Sequence, residues 1–287
     1  MLHHERVQPP DYVYPAHEWK IIEKRFYPRV LAQNETIFST GNGYIGMRGN
    51  FEEGAPVSQN GTFVNGFHET WPICYAEEAF GFARTGQTIV NVPDGRIIKL
   101  YVDDEPLFLP TANLLAFERV LDMQNGTLDR EMVWEMPSGK QIAVKSRRLV
   151  SFKHRHLAAI NYQVTVLNAT APVIISSHLE TISEKREGEG DPRLARTFED
   201  SVLSTQLSYA QDLRVVQGFI TKSSKMTLAC GVDHCVATEG SFTHQSSCSD
   251  EQGKVVFSST LQPGQTIELT KYISYHTSRW VPPGELC

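Results

Sequence analysis

The sequence predicts an all-β protein, built as one large antiparallel β-sandwich with few short helices. Three observations lead to this fold class. Apolar and polar residues alternate with a period of two over five segments, as in strands that bury one face. Turn signals separate strand-like segments at short spacing, and no regular helical period lies between them, which favours hairpins. Antiparallel sheets of this kind must face each other to bury their apolar sides.

The alternation identifies the strands in chain order. In the first clear segment, Ala158, Ile160, Tyr162 and Val164 fall on one face. The same pattern predicts strands over residues 156–167, 173–179, 226–232, 255–261 and 267–275. Each of these segments has the length and the residue types of a half-buried strand.

Turns are predicted wherever Gly, Pro, Asn and Asp cluster between two strand-like segments. These places are Pro93-Asp94-Gly95, Asp103-Asp104-Glu105-Pro106, Asn125-Gly126, Pro137-Ser138-Gly139 and Pro263-Gly264. Asn125-Gly126 is the strongest signal, because both residues tolerate the positive φ of a tight hairpin turn.

Three segments do not fit this series of strands joined by hairpin turns. Residues 17–25 are the main helix candidate, because Trp19, Ile22 and Phe26 are spaced at i, i+3 and i+7. Residues 60–88 are rich in aromatic side chains and are predicted to form a long loop region. Residues 184–193 are charged and Gly-rich, which predicts a mobile surface loop.

The composition excludes several classes of protein. The chain has 287 residues, with 27 basic against 33 acidic side chains and a net charge of −6, so it lacks the basic excess that nucleic-acid binding needs. No apolar run approaches the roughly 18 residues of a membrane helix, and no secretory signal is visible at the start. Five cysteines without framework spacing indicate a reducing compartment, and we expect a cytoplasmic protein.

A glycine-rich run over residues 40–54 is the most distinctive local pattern. Gly41, Gly43 and Gly46 match G-x-G-x-x-G, but Gly49 and Gly54 interrupt the helix that a dinucleotide site requires. We therefore interpret the run as strand and turn, at a place where two backbones approach closely. That interpretation leaves the charged residues beside the glycines unexplained.

Other candidate chemistry is incomplete. Cys230, His234, Cys235, His244 and Cys248 are residue types that bind zinc, but no C-x-x-C pair is present and Cys230 continues a strand face, so we predict no metal site. The adjacent acids at 52–53, 77–78 and 103–104 do not form ready acid–base pairs, because neighbours on a strand point to opposite faces. No catalytic residue is assigned.

A longer set of residues resembles a known family. The runs Asn34–Phe38 and Gly41–Gly49, followed by Glu52-Glu53, resemble the start of the glycoside hydrolase family 65 enzymes. Further runs fit the same family in order: Thr62–Phe67, Leu100–Pro106, Leu121–Arg130, Ser146–Ser151 and Tyr275–Arg279. The family includes phosphorylases of maltose, kojibiose, nigerose, trehalose and trehalose 6-phosphate, together with some hydrolases. Residues 85–88 and 102–106 favour the trehalose branch.

The resemblance implies a super-sandwich of the galactose mutarotase type over residues 1–275 and the start of a linker over residues 276–287. In the family, an (α/α)6 barrel follows and carries the general acid and the phosphate site. The barrel's Asp-Glu-Tyr-His type of motif is absent here, so we expect an excised or truncated N-terminal domain that is inactive alone. The parent enzyme would cleave an α-linked glucose disaccharide with inorganic phosphate as co-substrate, without a cofactor or metal, as a homodimer.

Two sets of residues are candidates for function, and two alternatives stay open. We expect Arg48, Glu52 and Glu53 to lie on the surface that faces the barrel, with Arg48 holding Glu52 or Glu53. Trp71 and Tyr75 are candidates for stacking on a sugar ring, which would make the chain a stand-alone carbohydrate-binding module. The other alternative is a purely structural oligomerisation domain.

Overall fold

The computed structural model describes residues 14–75, 77, 79–181 and 201–286. The predicted loop over residues 184–193 lies outside them. The strands, in chain order, are β1 (Lys20–Glu23), β2 (Thr40–Gly41), β3 (Ile45–Met47), β4 (Thr62–Pro72), β5 (Thr85–Asn91), β6 (Ile98–Val102), β7 (Glu105–Pro106), β8 (Asn113–Asp122), β9 (Thr127–Glu135), β10 (Gln141–Val150), β11 (Leu157–Val166), β12 (Ala171–Glu180), β13 (Leu203–Gln211), β14 (Arg214–Thr221), β15 (Thr227–Thr238), β16 (Phe242–Cys248), β17 (Gln252–Leu261) and β18 (Thr266–Ser278). The helices are a 3-10 turn (Pro28–Val30), α1 (Leu31–Ile37) and α2 (Pro283–Leu286).

The strands form three antiparallel sheets, which confirms the predicted fold class. A nine-stranded sheet has the order β1-β8-β9-β10-β11-β18-β15-β14-β13. A five-stranded sheet has the order β16-β17-β12-β6-β7, and a four-stranded sheet has the order β2-β3-β4-β5. Among the described residues, no helix is long and apolar enough to span a membrane.

The period-two alternation places the core between the two larger sheets. Every second residue of β11 is buried, from Ala158 to Val166, and the same holds for β18 from Ile267 to Tyr275. The facing strands β12 and β17 supply Val173, Ile175 and Phe257 to the same apolar cluster. All five predicted strand segments are therefore confirmed, with ends that differ by a few residues.

Polar contacts also join the facing sheets. The buried ammonium of Lys271 on β18 donates to the carbonyl oxygens of Ile97 (3.0 Å) and His178 (2.6 Å) across the sandwich. The Tyr275 hydroxyl donates to the Pro93 carbonyl at 2.7 Å, and an added Cβ at Gly95 would lie only 2.6 Å from Ile273. The predicted Pro93-Asp94-Gly95 turn is thus a place of close approach between layers.

A tight two-residue hairpin turn lies at Asp103-Asp104, where φ is +48° and +65°. At Asn125-Gly126, the strongest turn signal in the sequence, only Gly126 has a positive φ. The chain between β8 and β9 makes a longer turn, in which the Asp122 carboxylate accepts the amides of Gln124 and Asn125 at 3.0 Å. An Asx turn of this kind supplies the reversal without a left-handed asparagine.

The predicted helix over residues 17–25 is wrong. Residues 20–23 form the edge strand β1, which pairs with β8 in the register Ile21↔Leu121 and Ile22↔Val120. The spacing of three apolar residues matched a helix by coincidence, and a strand partner about a hundred residues away decided the conformation. The helix that does form here, α1, follows at Leu31.

The aromatic segment over residues 60–88 is a hairpin of β4 and β5 with a bulge, and only its central residues form the predicted loop. At the other end of the chain, β18 continues to Ser278 and α2 packs against β13, β14 and β15. The boundary between domain and linker at residue 276 stays a prediction, although residues 276–278 continue the sheet.

Candidate functional site

The glycine-rich run begins with a turn that is braced from two sides. Gly43 has a φ of +86°, and the Asn42 carboxamide oxygen accepts the amides of Tyr44 (2.9 Å) and Ile45 (2.8 Å). The Asn42 amide group donates to the carbonyls of Ser151 (2.7 Å) and Arg155 (3.0 Å), which belong to the turn between β10 and β11. The strand β3 follows where a dinucleotide site would need a helix.

Arg48 binds the helix α1 rather than the acids predicted for it. Its guanidinium donates to the Thr36 hydroxyl at 3.1 Å and lies 3.8 Å from the buried carboxylate of Glu35. The prediction that Arg48 pairs with Glu52 or Glu53 is therefore wrong. Residues 52–54 form a turn, which directs both acids into the sandwich, where each contacts Arg130.

Glu52 and Glu53 are buried against two arginines of the nine-stranded sheet. The Glu53 carboxylate takes both terminal nitrogens of Arg130, at 2.7 and 2.6 Å, and accepts the Tyr162 hydroxyl at 2.8 Å. The Glu52 carboxylate contacts Arg148 at 3.0 Å and Arg130 at 3.3 Å. Neither carboxylate reaches the surface of this domain, and the assignment of this segment to a surface that faces a barrel stays a prediction.

The arginines keep Glu52 ionised. Burial raises the pKa of Glu52, but the charges of Arg148 and Arg130 outweigh burial and lower the pKa below its ordinary value. Burial lowers the pKa of Arg148 to about 10, with Glu52 opposing the shift. The pKa of Arg130 is raised, because Glu53 and Glu52 outweigh the effect of burial. A permanently ionised, fully paired carboxylate is not a proton donor to a glycosidic oxygen.

Two further pairs complete a cluster of four buried arginines and four buried acids, which we call the arginine cluster. Arg119 contacts Glu23 at 2.7 Å, and Arg96 contacts Asp94 at 2.5 Å. The members are Arg96, Arg119, Arg130, Arg148, Glu23, Glu52, Glu53 and Asp94. Sequence reasoning missed the arginines, although the alternation of β9 and β10 places Arg130 and Arg148 on the apolar face with Met132 and Val144.

A second group of features lies at one end of the nine-stranded sheet. Here the β8–β9 turn, the β10–β11 turn, the β14–β15 turn and the last residues of β18 come together, as the strand registers require. We call this the loop end. Large apolar side chains are exposed around it, including Phe152 at 79% and Trp280 at 91% of their surface.

The hairpin of β4 and β5 is attached to the same end. The Glu69 carboxylate on β4 accepts the backbone amides of Ser223 (2.8 Å) and Ser224 (2.6 Å) in the β14–β15 turn. The candidate stacking residues lie beyond this attachment point. Trp71 packs over Gly86, where an added Cβ would lie 2.3 Å from its ring, and Tyr75 contacts Phe82 with ring centroids 4.8 Å apart. Their role in sugar binding stays a prediction.

Two histidines stack at the loop end. The rings of His156 and His276 are nearly parallel, with centroids 4.0 Å apart, and Tyr44 of the glycine-rich turn packs edge-on against His156 at 4.5 Å. Arg155 donates to Nε2 of His156 at 2.9 Å, and Nδ1 of His156 lies 3.0 Å from the Tyr275 carbonyl. Nδ1 must therefore carry the proton of a neutral His156 ring.

The cysteine and histidine candidates do not converge on a metal. In the described part of the chain, no group of three potential ligands is placed to hold an ion. Cys230 is buried, whereas Cys235 is exposed. His234 is buried between the Leu213 carbonyl (2.6 Å) and the Ser177 hydroxyl (2.7 Å), so it is a core residue. Burial, aided by Lys271, lowers its pKa to about 4.

The fold and these clusters define an antiparallel β-sandwich domain that contains buried ion pairs and exposes large apolar side chains at its loop end. Residues 21–286 match the model of the glycosyl hydrolase family 65 N-terminal domain, and the chain belongs to this family. This confirms the resemblance seen in the sequence.

Named relatives agree with this assignment. The chain is 38% identical to α,α-trehalose phosphorylase of Thermoanaerobacter brockii, over 93% of this chain and 35% of that protein. It is 36% identical to an uncharacterized glycosyl hydrolase of Mycobacterium leprae (strain TN), over 91% of this chain and 33% of that protein. A solved structure titled putative kojibiose phosphorylase from human microbiome has the same fold, with a TM-score of 0.78, 19% identity, and coverage of 93% of this chain and 33% of that one. The chain thus spans about a third of the length of these relatives.

Proposed function

We propose that this chain is the non-catalytic N-terminal domain of an α-glucoside phosphorylase or hydrolase, and that its loop end docks onto the catalytic domain. The observation that carries this proposal is the arrangement of the loop end. The last strand, β18, ends at the loop end, the same end of the sheet at which Phe152 and Trp280 are exposed. Large apolar side chains exposed on one surface mark an interaction site.

The charge of the loop end supports a specific partner surface. The chain as a whole has a net charge of −6, yet exposed cations gather at this end. Among the described residues, no carboxylate forms an ion pair with Lys222, Lys225 or Arg279. An acidic and apolar face on the catalytic domain would complement this surface and fix the orientation of the two domains.

The glycine-rich run connects the loop end with the arginine cluster. Its first part forms the turn at the loop end, with Asn42 bound to the β10–β11 turn. Its second part is anchored in the core through Glu52 and Glu53. The arginine cluster therefore holds in place a turn that faces the proposed partner, and in the parent enzyme this turn would contribute to the active-site rim. The parent reaction would be cleavage of an α-linked glucose disaccharide by inorganic phosphate or water, in a homodimer.

Two experiments test the proposal. Residues 1–287 alone should release no glucose 1-phosphate from trehalose, kojibiose or maltose in the presence of phosphate, and release of this product would contradict the non-catalytic role. In the second experiment, the C-terminal polypeptide of the longer protein is mixed with the domain, and binding is measured by calorimetry.

The replacements Phe152→Ser and Trp280→Ser should weaken this association at least tenfold. Leu167→Ser is the matched control, because Leu167 is 40% exposed and follows β11 at the opposite end of the sheet. Equal effects of the three replacements would place the docking surface elsewhere.

A further inference from the structure

His276 has an unusual environment for a half-buried histidine. Its ring is stacked on His156, but neither of its nitrogens has a hydrogen-bond partner among the described residues. Its nearest charged neighbours are all basic or can become basic. Burial lowers the pKa of His276, and the charges of His156 and Arg155 lower it further. The ring thus offers an unused donor in a region of positive potential.

Arg155 offers further unused donors. Within the described residues only its Nε forms a hydrogen bond, to Nε2 of His156, and its guanidinium lies 5.4 Å from the Tyr44 ring. Within the described residues no carboxylate pairs with Arg155, whereas most other arginines of the sheet have an acid partner, as Arg147 has in Asp129. A planar guanidinium with free terminal nitrogens is the group that proteins use for phosphate and carboxylate oxygens.

The site is preorganised by the glycine-rich turn. The Asn42 side chain holds the Arg155 carbonyl at 3.0 Å and the Ser151 carbonyl at 2.7 Å, which sets the path of the β10–β11 turn. Tyr44 packs against His156 and its hydroxyl lies 3.3 Å from that of Thr277, next to His276 in sequence. A braced backbone reduces the entropy that ordering the site would cost on binding.

We propose that His276 and the terminal nitrogens of Arg155 form a binding site for a phosphate-type oxyanion, either free phosphate or the phosphoryl group of a sugar phosphate. Lys153, in the same exposed turn, adds positive charge around it. An anion at this position offsets the positive charge of Arg155 and favours the protonated form of His276, and it accepts hydrogen bonds from donors that have no partner among the described residues. The proposal does not depend on domain docking, because the site lies wholly within residues 1–287.

The test follows the titration of single histidines by NMR on residues 1–287, in phosphate and in chloride of equal ionic strength. Phosphate should raise the pKa of His276 by about one unit, as a nearby opposite charge does. The exposed His244 on β16, in the five-stranded sheet, is the internal control, and its ring resonances should respond to phosphate much less. Titrating inorganic phosphate and glucose 1-phosphate in parallel, each as the probe, shows which source binds more tightly.

Variants distinguish a specific anion-binding site from general electrostatic screening by phosphate. Arg155→Gln should abolish the phosphate-dependent shift of His276, while Arg25→Gln, at another exposed arginine, should leave it intact. His276→Gln should remove phosphate-induced changes at the amides of Asn42 and Tyr44, with the remaining spectrum unchanged as proof of folding. An unchanged His276 titration in phosphate, an equal response in Arg155→Gln, or a stronger response to a short polyglutamate peptide than to phosphate would overturn the proposal.

Discussion

Removal of the Glu53 carboxylate should destabilise the domain severely, because it breaks the charge balance of the arginine cluster. In Glu53→Gln, four buried guanidinium groups face three carboxylates, and Arg130 keeps only Glu52 at 3.3 Å. Removing one partner of a buried ion pair costs about 3–5 kcal/mol. Since Glu52 still compensates part of the charge of Arg130, we expect the lower part of this range.

The loss can be measured by thermal and urea unfolding monitored by circular dichroism. A loss of about 3 kcal/mol corresponds to a decrease of roughly 6–12 °C in Tm for a domain of this size. The matched control is Glu131→Gln on β9, the strand that carries Arg130. Glu131 pairs with Lys145 at 3.2 Å, but both side chains are more than half exposed. Exposed pairs of this kind contribute at most about 1 kcal/mol.

A double variant separates charge balance from packing. Glu53→Leu with Arg130→Met removes both charges of the bidentate pair, and apolar replacement of a whole buried pair is often neutral or stabilising. We therefore expect the double variant to be more stable than Arg130→Met alone. A Tm for Glu53→Gln within 2 °C of the wild type, or a double variant no better than the single one, would refute the reasoning.

Three further predictions concern single side chains. The pKa of His234 is lowered to about 4, so the folded chain binds this proton less readily than the unfolded chain. The free energy of unfolding should therefore fall by about 3 kcal/mol, through this group, as the pH decreases from 6.5 to 4. Urea unfolding of His234→Gln should show a weaker pH dependence than that of the wild type. If Trp71 and Tyr75 stack on sugars, titration with trehalose or maltose should change the Trp fluorescence, and no change at high millimolar sugar removes the binding-module alternative. Arg48→Ala should lower stability by about 1–2 kcal/mol through loss of the bond to Thr36, and an activity loss in the longer protein beyond that of Arg48→Lys would support a role at the rim.

The parts of the fold that follow from local alternation were predictable from the sequence. Strand β11 is an example, because five alternate apolar residues leave a single choice of buried face. The edge strand β1 was not predictable, since it has only four residues and depends on a distant partner in β8. Propensity over so short a segment is a weak prior, and tertiary pairing overrides it.

The arginine cluster shows a different limit of sequence reasoning. The prediction paired Arg48 with its near neighbours Glu52 and Glu53, because proximity in sequence was the available criterion. The acids instead meet Arg130 and Arg148, about eighty and a hundred residues later, because the sandwich brings these strands over the glycine-rich run. The available signal was the position of both arginines on the apolar face of their strands. A charged residue in a buried register predicts a buried partner of opposite charge.

The arginine cluster and the loop end together explain why the glycine-rich run needs both its glycines and its charges. An added Cβ at Gly49 would lie 2.6 Å from the Cβ of Phe38, so the run can enter the sandwich beside α1 only without a side chain there. The acids that follow it are then buried, and each meets guanidinium groups that compensate its charge. With this part immobilised, the turn at Gly43 keeps a fixed position over the β10–β11 turn. A mutation in the core, such as Glu53→Gln, should therefore also disturb the surroundings of His156 at the loop end, whereas the exposed Glu131→Gln should not.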